Sequence, residues 1–144
     1  MNLPENIILD FIKKHHVLTL ATSENNKSWC CNCFYVFIQK SMQFLFTSDE
    51  KTKHINQALR NSDVSGSVVL ETKIIGKIQG IQFTGTIEKV NKSDYLKYKL
   101  KYLKKIPYAV LNNTSLWLVN IDMIKMTDNR LGFGEKIYWY RNNQ

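Results

Sequence analysis

The sequence predicts a mainly β protein, an antiparallel barrel with short α-helices at its periphery. Three observations lead there. Runs of alternating or unbroken β-branched and aromatic residues recur along the chain, helical spacing of apolar residues is confined to three short stretches, and strands do not alternate regularly with helices, so a parallel sheet is not expected. At 144 residues, with 44% hydrophobic and 12% aromatic residues, the chain reads as one domain over 1–144, large enough to bury a core.

Taken in order, Ile8, Phe11 and Ile12 stand at helical spacing and predict a first helix from about Glu5 to His15. Val17 to Thr22 reads as a strand and Glu24 to Lys27 as a turn. Trp29 to Ile38 is a nearly unbroken aromatic and β-rich run, expected as one strand buried on both faces. Lys40-Ser41 turns it into a strand from Met42 to Thr47, which would complete a three-stranded meander. A short helix over about Thr52 to Leu59 and a strand from Val64 to Leu70 follow. In Ile81 to Glu88, Ile81, Phe83 and Ile87 face one side and Gln82, Thr84, Thr86 and Glu88 the other. A lysine-rich helix comes next, with Leu96, Leu100 and Leu103 as its apolar stripe and Asn91 with Asp94 as its N-cap. Leu116 to Met126 alternates again, placing Trp117, Val119, Ile121 and Met123 on one face, and a Gly132-Phe133-Gly134 loop leads to a last strand, Lys136 to Tyr140. The expected total is about seven strands and three short helices.

Twenty Lys and Arg against twelve Asp and Glu give a net charge of +8, which suits an anionic partner or a plain solvated surface. Six lysines fall between Lys92 and Lys105, interleaved with Tyr95, Tyr98 and Tyr102. Basic residues among aromatics can bind nucleic acid, but an amphipathic surface helix explains the same pattern better, so nucleic acid is not the expected partner. The three cysteines, Cys30, Cys31 and Cys33, are too few and too close for a disulfide framework. Strand alternation puts Cys31 and Cys33 on one face, so at most two could share a metal; no metal is assigned, and buried, reduced core cysteines are expected. No apolar run is long enough to span a bilayer and no basic leader precedes a cleavage site, which points to the cytoplasm.

The most informative stretch is the junction Thr47-Ser48-Asp49-Glu50-Lys51-Thr52-Lys53-His54, where a strand gives way to a helix. Hydroxyls, ammonium groups and a helix N-terminus with unpaired N–H groups can hold a phosphate. On spacing alone, an ordinary capped helix with a charged first turn is the stronger of the two explanations. His54 is the histidine beside this turn, with proton transfer or cofactor contact as one role and a helix-surface position as the other. His15 and His16 close the first helix, where positive charge suits the dipole, and are given no chemistry.

Four segments together resemble the pyridoxamine 5'-phosphate oxidase-like FMN-binding split-barrel proteins, and within them a group of small, uncharacterised bacterial members. Trp29-Cys30-Cys31-Asn32-Cys33-Phe34-Tyr35 fits W-C-x-N-x-F-Y, and Glu50-Lys51-Thr52-Lys53-His54 fits E-K-T-[KR]-H. Gly80-Ile81-Gln82-Phe83-Thr84-Gly85 fits G-[VI]-Q-F-x-G, and Thr127 to Gly134 fits T-D-N-x-L-G-F-G. The resemblance implies an antiparallel split β-barrel and a homodimer with two FMN sites at its interface. It places Lys51, Thr52 and Lys53 at the phosphate with Thr47, Ser48 and His54 beside them. Asn32, Phe34 and Tyr35 would lie along the isoalloxazine and ribityl chain, and Gln82 within reach of a flavin edge; as a plain strand residue Gln82 faces solvent. A place near the dimer interface is implied for Asp128 and Asn129, which otherwise read as turn formers.

Two departures qualify this expectation. Asp49 and Glu50 oppose an anion unless they point away, and the chain stops at Gln144 without the C-terminal segment that binds substrate phosphate in the vitamer oxidase. Oxidation of the vitamer itself is therefore not expected. The function that follows is flavin-dependent oxidoreduction of an unidentified small molecule, in which the cofactor carries the electrons and no dedicated acid–base pair is required. A non-catalytic flavin or haem binder is the alternative, and a nucleic-acid-binding protein stands third.

Overall fold

The computed structural model describes residues 2–108 and 114–142, so Met1 and the last two residues of the expected domain lie outside it. Helix α1 (Asn6–Lys14) leads into the hairpin β1 (Val17–Glu24) and β2 (Lys27–Phe34), then β3 (Val36–Ile38) and β4 (Gln43–Ser48). Helix α2 (Lys53–Arg60), β5 (Asp63–Val69), β6 (Gln79–Lys89), α3 (Tyr95–Lys105), β7 (Ser115–Asp128) and β8 (Lys136–Tyr140) complete the order. The β1–β2 turn is made by Asn25 and Asn26, both at positive φ, which asparagine tolerates better than other residues carrying a side chain. One antiparallel sheet runs β2-β1-β5-β6-β7-β4-β3, with β8 also paired to β7. This is the expected split barrel, with eight strands among the described residues rather than about seven.

The long strand β7 organises the sheet. Along one edge it pairs with β6 over most of its length; along the other its first half pairs with β4 and its second half with β8. Its alternation also changes partway. Thr84 of β6 opposes Met123 and Gly85 opposes Ile121, so Asp122 is an extra residue in β7, a bulge. Trp117, Val119 and Ile121 face the core before it, and Ile124 and Met126 after it. Met123 therefore leaves the face expected for it. Only glycine fits at position 85, because a Cβ there would lie 2.1 Å from the carbonyl oxygen of Asn120.

The main core joins α1, the inner sheet face and α2, through Ile8, Ile12, Phe44, Ile55, Phe83 and Trp117 among others. Phe44 touches the rings of Tyr35, Phe37 and Phe83. A second cluster sits under α3, where Val36, Leu45, Val90, Leu116 and Leu118 receive Tyr102, Tyr95, Tyr98 and Ile106.

Three sequence expectations are corrected here. The run from Trp29 to Ile38 is not one strand buried on both faces. It breaks at Tyr35 into β2 and β3, and β2 is an edge strand, paired in the ladder only with β1. Trp29 is 44% and Phe34 58% exposed, because an unbroken apolar run gives no periodicity from which to tell a central strand from an edge. The expected meander is accordingly two hairpins, β1–β2 and β3–β4. Helix α3 is turned the other way round: its tyrosines pack inward, while Leu96 and Leu100 are 65% and 60% exposed. Asn91 does support its start, accepting the Asp94 N–H at 2.9 Å, but the helix itself begins at Tyr95. The cysteines are not all core residues either: Cys33 is buried, Cys31 half-buried and Cys30 exposed.

Candidate functional site

A cleft of about 750 Å³ opens where β2, the end of β4, the start of α2 and the end of α3 converge. Ligand sites of roughly 300–1,000 Å³ are usual, so the space suits a small organic cofactor. Asn32, Phe34, Thr47, Ser48 and His54, all expected site residues, line it. His16, Cys33, Tyr102, Lys105 and the segment Ile106–Pro107–Tyr108 line it as well. Those residues were not foreseen. Lys105 is one lysine in a run of many and His16 one of two histidines closing a helix, so nothing in the sequence marks either.

The polar floor lies at the β4–α2 junction. Ser48 Oγ is 2.7 Å from His54 Nε2, which also lies 3.2 Å from Thr52 Oγ1. Thr52 does not cap α2 through its side chain; its hydroxyl donates to the Asp49 carbonyl instead, at 2.8 Å. The first amides of α2 thus stand at a helix N-terminus without a hydroxyl cap, where partial positive charge favours an anion. Thr47 Oγ1 is hydrogen-bonded to Thr114 Oγ1. The two acidic residues that would oppose an anion do not line the cleft. Asp49 folds back to accept the Lys51 N–H at 2.7 Å, and Glu50 is paired with Lys89 and accepts the Ser115 hydroxyl at 2.7 Å. Those two partners hold the Glu50 carboxyl below its ordinary pKa.

The remaining expected residues are placed elsewhere. Lys51 is exposed, and Lys53 lies with its ammonium 4.2 Å from the centre of the Trp29 ring, a cation–π contact on the outer surface. Tyr35 is fully buried and its hydroxyl donates to the Ile12 carbonyl at 2.6 Å, so it supports the wall of the site from the core. Gln82 is exposed on β6, opposite Lys125, and does not line the cleft. His54 is a buried residue, not a helix-surface histidine.

Titration is perturbed around the cleft. Cys31 and Cys33 lie with sulfurs 3.7 Å apart. The hydrogen bond from Cys33 and the nearby His54 pull the Cys31 thiol down to about 5, against the opposing effect of burial. The same hydrogen bond, with burial, pushes Cys33 upward, so the two thiols titrate together rather than independently. Burial raises Tyr102 to about 12, with its hydroxyl 3.4 Å from the Phe34 carbonyl, and burial lowers Lys105, whose ammonium lies over the Tyr35 ring. Asp128, which the resemblance places near a dimer interface, makes a forked pair with Arg130 at 2.6–3.2 Å that holds its carboxyl below the usual range.

The fold defines the class, a split barrel, and solved structures that share it include haem- and FAD-binding proteins. The chain superposes on a haem-binding protein from Mycobacterium smegmatis with a TM-score of 0.72 at 14% identity, covering 87% of this chain and 52% of that one. A FAD-binding protein from Mesorhizobium loti gives 0.72 at 12% identity over 86% of this chain and 94% of its own. HutZ, the haem storage protein from Vibrio cholerae, gives 0.67 at 14% identity, covering 84% and 92%. At these identities the likeness is one of fold. No protein-family model matches the chain. The chain belongs to the UPF0306 family: it is 37% identical over 143 residues to a UPF0306 protein of Photorhabdus laumondii, covering 98% of this chain and all of that one. A UPF0306 protein of Yersinia pseudotuberculosis is 35% identical over the same span.

Proposed function

We propose that the protein binds FMN in this cleft and uses it for oxidoreduction of a small molecule. The observation that carries the proposal is the pairing of an uncapped helix N-terminus, flanked by Thr47 and Ser48, with a cleft walled by Phe34, Ile106 and Tyr108. The donor set fits a flavin mononucleotide: hydroxyls and amides for a phosphate, Asn32 for the ribityl or ring edge, and apolar surface for a flat heterocycle. Lys105 adds a cation whose charge is incompletely solvated and therefore acts strongly on an anion. Lys51 and Lys53 then contribute field at the surface rather than direct contacts. FMN, when bound, supplies the hydride or electron transfer; the chain's residues bind it, orient it and exclude water.

The protein acts as a homodimer in this proposal, with the exposed apolar side chains of the edge strand β2, Trp29 and Phe34, covered by the second copy. A visible spectrum of the purified protein, before and after adding FMN, tests the cofactor; bound flavin with a shifted absorption band is expected. Bleaching by a nicotinamide donor followed by turnover with an acceptor separates an oxidoreductase from a binder. Failure to bind FMN after reconstitution sinks the flavin proposal. Haem is the second reading, favoured by the side chains of His16, Cys33, Tyr102 and Tyr108 along the same cleft, residue types that ligate haem iron. A Soret band on adding haemin, with no flavin retained, would select it.

A further inference from the structure

We propose that Cys31, Cys33 and His54 form a three-ligand site for a thiophilic divalent cation, Zn²⁺ in the first instance, with the fourth coordination position open to the cleft. Alternation along β2 puts both sulfurs on one face, and α2 delivers the imidazole of its second residue to that face. The two sulfurs and a ring nitrogen all lie within 4.8 Å of one another. Two thiolates bound at ~2.3 Å to a tetrahedral Zn²⁺ stand ~3.8 Å apart, and the sulfurs are 3.7 Å apart before any metal is added. The imidazole is held by the hydroxyls of Ser48 and Thr52, the outer hydrogen bonding that orients metal-bound histidines.

Two thiolates and a neutral imidazole are a soft donor set that selects Zn²⁺ over oxygen-seeking cations, and the thiolate charges cancel that of the ion at a site sheltered from water. Three protein ligands leave one position for water or a ligand. Cys33 and His54 line the cleft and Cys31 does not, so the open position is assigned to the cleft side. The competing role for the pair, a Cys31–Cys33 disulfide, needs the sulfurs to close to ~2.05 Å and gives the imidazole no part.

The site is tested on metal-free, flavin-free protein kept reduced with a phosphine, so the outcome does not depend on the cofactor proposal. Titration with Co²⁺ is expected to give a thiolate-to-metal charge-transfer band and tetrahedral d–d bands that saturate at one equivalent and vanish on adding Zn²⁺. Cys30→Ser should behave as the parent. Cys31→Ser, Cys33→Ser and His54→Ala should each weaken binding by more than the ~10–100-fold that loss of an outer supporting hydrogen bond costs, with circular dichroism confirming the fold. In the unaltered protein, Zn²⁺ should protect Cys31 and Cys33 from alkylation and leave Cys30 reactive. Absence of the cobalt bands, unchanged affinity in the folded cysteine variants, or alkylation of all three thiols in saturating Zn²⁺ would each overturn the proposal.

Discussion

Where β6, β7 and β8 run together, Ile124, Met126 and Trp139 are buried and the buried carboxylate beside them, Asp128, is closed off by Arg130. Around β2 and the start of α2 the buried polar groups face one another differently: His54 meets two hydroxyls and two thiols, and two of these four partners, Ser48 and Cys33, open onto the cleft with it. Among the described residues no buried side-chain nitrogen or oxygen lacks a hydrogen-bond partner in either region. The difference lies in what the partners can still do. A charge locked in a forked pair is spent on stability, whereas hydroxyls, thiols and an imidazole held by hydrogen bonds without such an ion pair can exchange those bonds for a ligand. The first region should respond to mutation through folding and the second through binding.

The largest effect should come from the packed region. Phe44→Ala removes a fully buried ring in contact with three others and should cost about 3–5 kcal/mol, read as a lower denaturation midpoint at unchanged slope. A loss below about 1 kcal/mol would mean that the core there repacks freely, and the contrast between the regions would fail.

Asp128 supplies a sharper test, because its pairing makes stability depend on pH. Its folded pKa is lowered by Arg130, so the stabilisation is complete above the ordinary carboxylate pKa and is lost as pH falls through the lowered folded value. Asp128→Asn should cost about 1–3 kcal/mol at neutral pH and flatten the decline of stability below the usual carboxylate range. Urea unfolding at a series of pH values checks both. Equal acid sensitivity in parent and variant would show that Arg130 does not hold this carboxylate.

In the cleft the order of effects should invert. Ser48→Ala removes one hydroxyl from His54 and leaves Thr52 in place, so the expected loss of stability is about 1 kcal/mol. FMN affinity, measured by quenching of flavin fluorescence, should fall about tenfold or more, since a hydrogen bond to a charged phosphate is lost. If Ser48→Ala unfolds the protein as readily as a core truncation, the hydroxyl belongs to the folding machinery and the two regions are not distinct.

How much of this was legible in the sequence depends on where periodicity was informative. The clean alternation of Ile81, Phe83 and Ile87 gave β6 correctly, and the Thr47–His54 junction placed Thr47, Ser48 and His54 on the cleft with Thr52 beside them. Burial across unbroken runs was not legible. Nothing local distinguishes the exposed edge strand β2 from a central one, and the bulge at Asp122 that moves Met123 off the core face is visible only through the pairing with β6. The approach of His54 to Cys31 and Cys33 was equally hidden, because it depends on how α2 packs against β2 across the nineteen residues between Cys33 and a helix the sequence placed only roughly.

Helix α3 shows the same limit, and it carries the smallest predicted effect. Two stripes compete at helical spacing, one of leucines at 96, 100 and 103 and one of tyrosines at 95, 98 and 102. Hydrophobicity alone favours the leucines. The fold buries the tyrosines instead: their rings cover Leu45, Leu116 and Leu118, and their hydroxyls can keep a polar partner, as Tyr102 does with the Phe34 carbonyl beside the cleft. Leu96→Ser combined with Leu100→Ser should therefore change stability by less than about 0.5 kcal/mol, as expected for surface positions. Tyr102→Ala should cost several times more, because it empties a buried site. If instead the double leucine variant unfolds the chain, or breaks an oligomer that Tyr102→Ala leaves intact, the leucine face is covered in the assembled protein and the helix has two working surfaces.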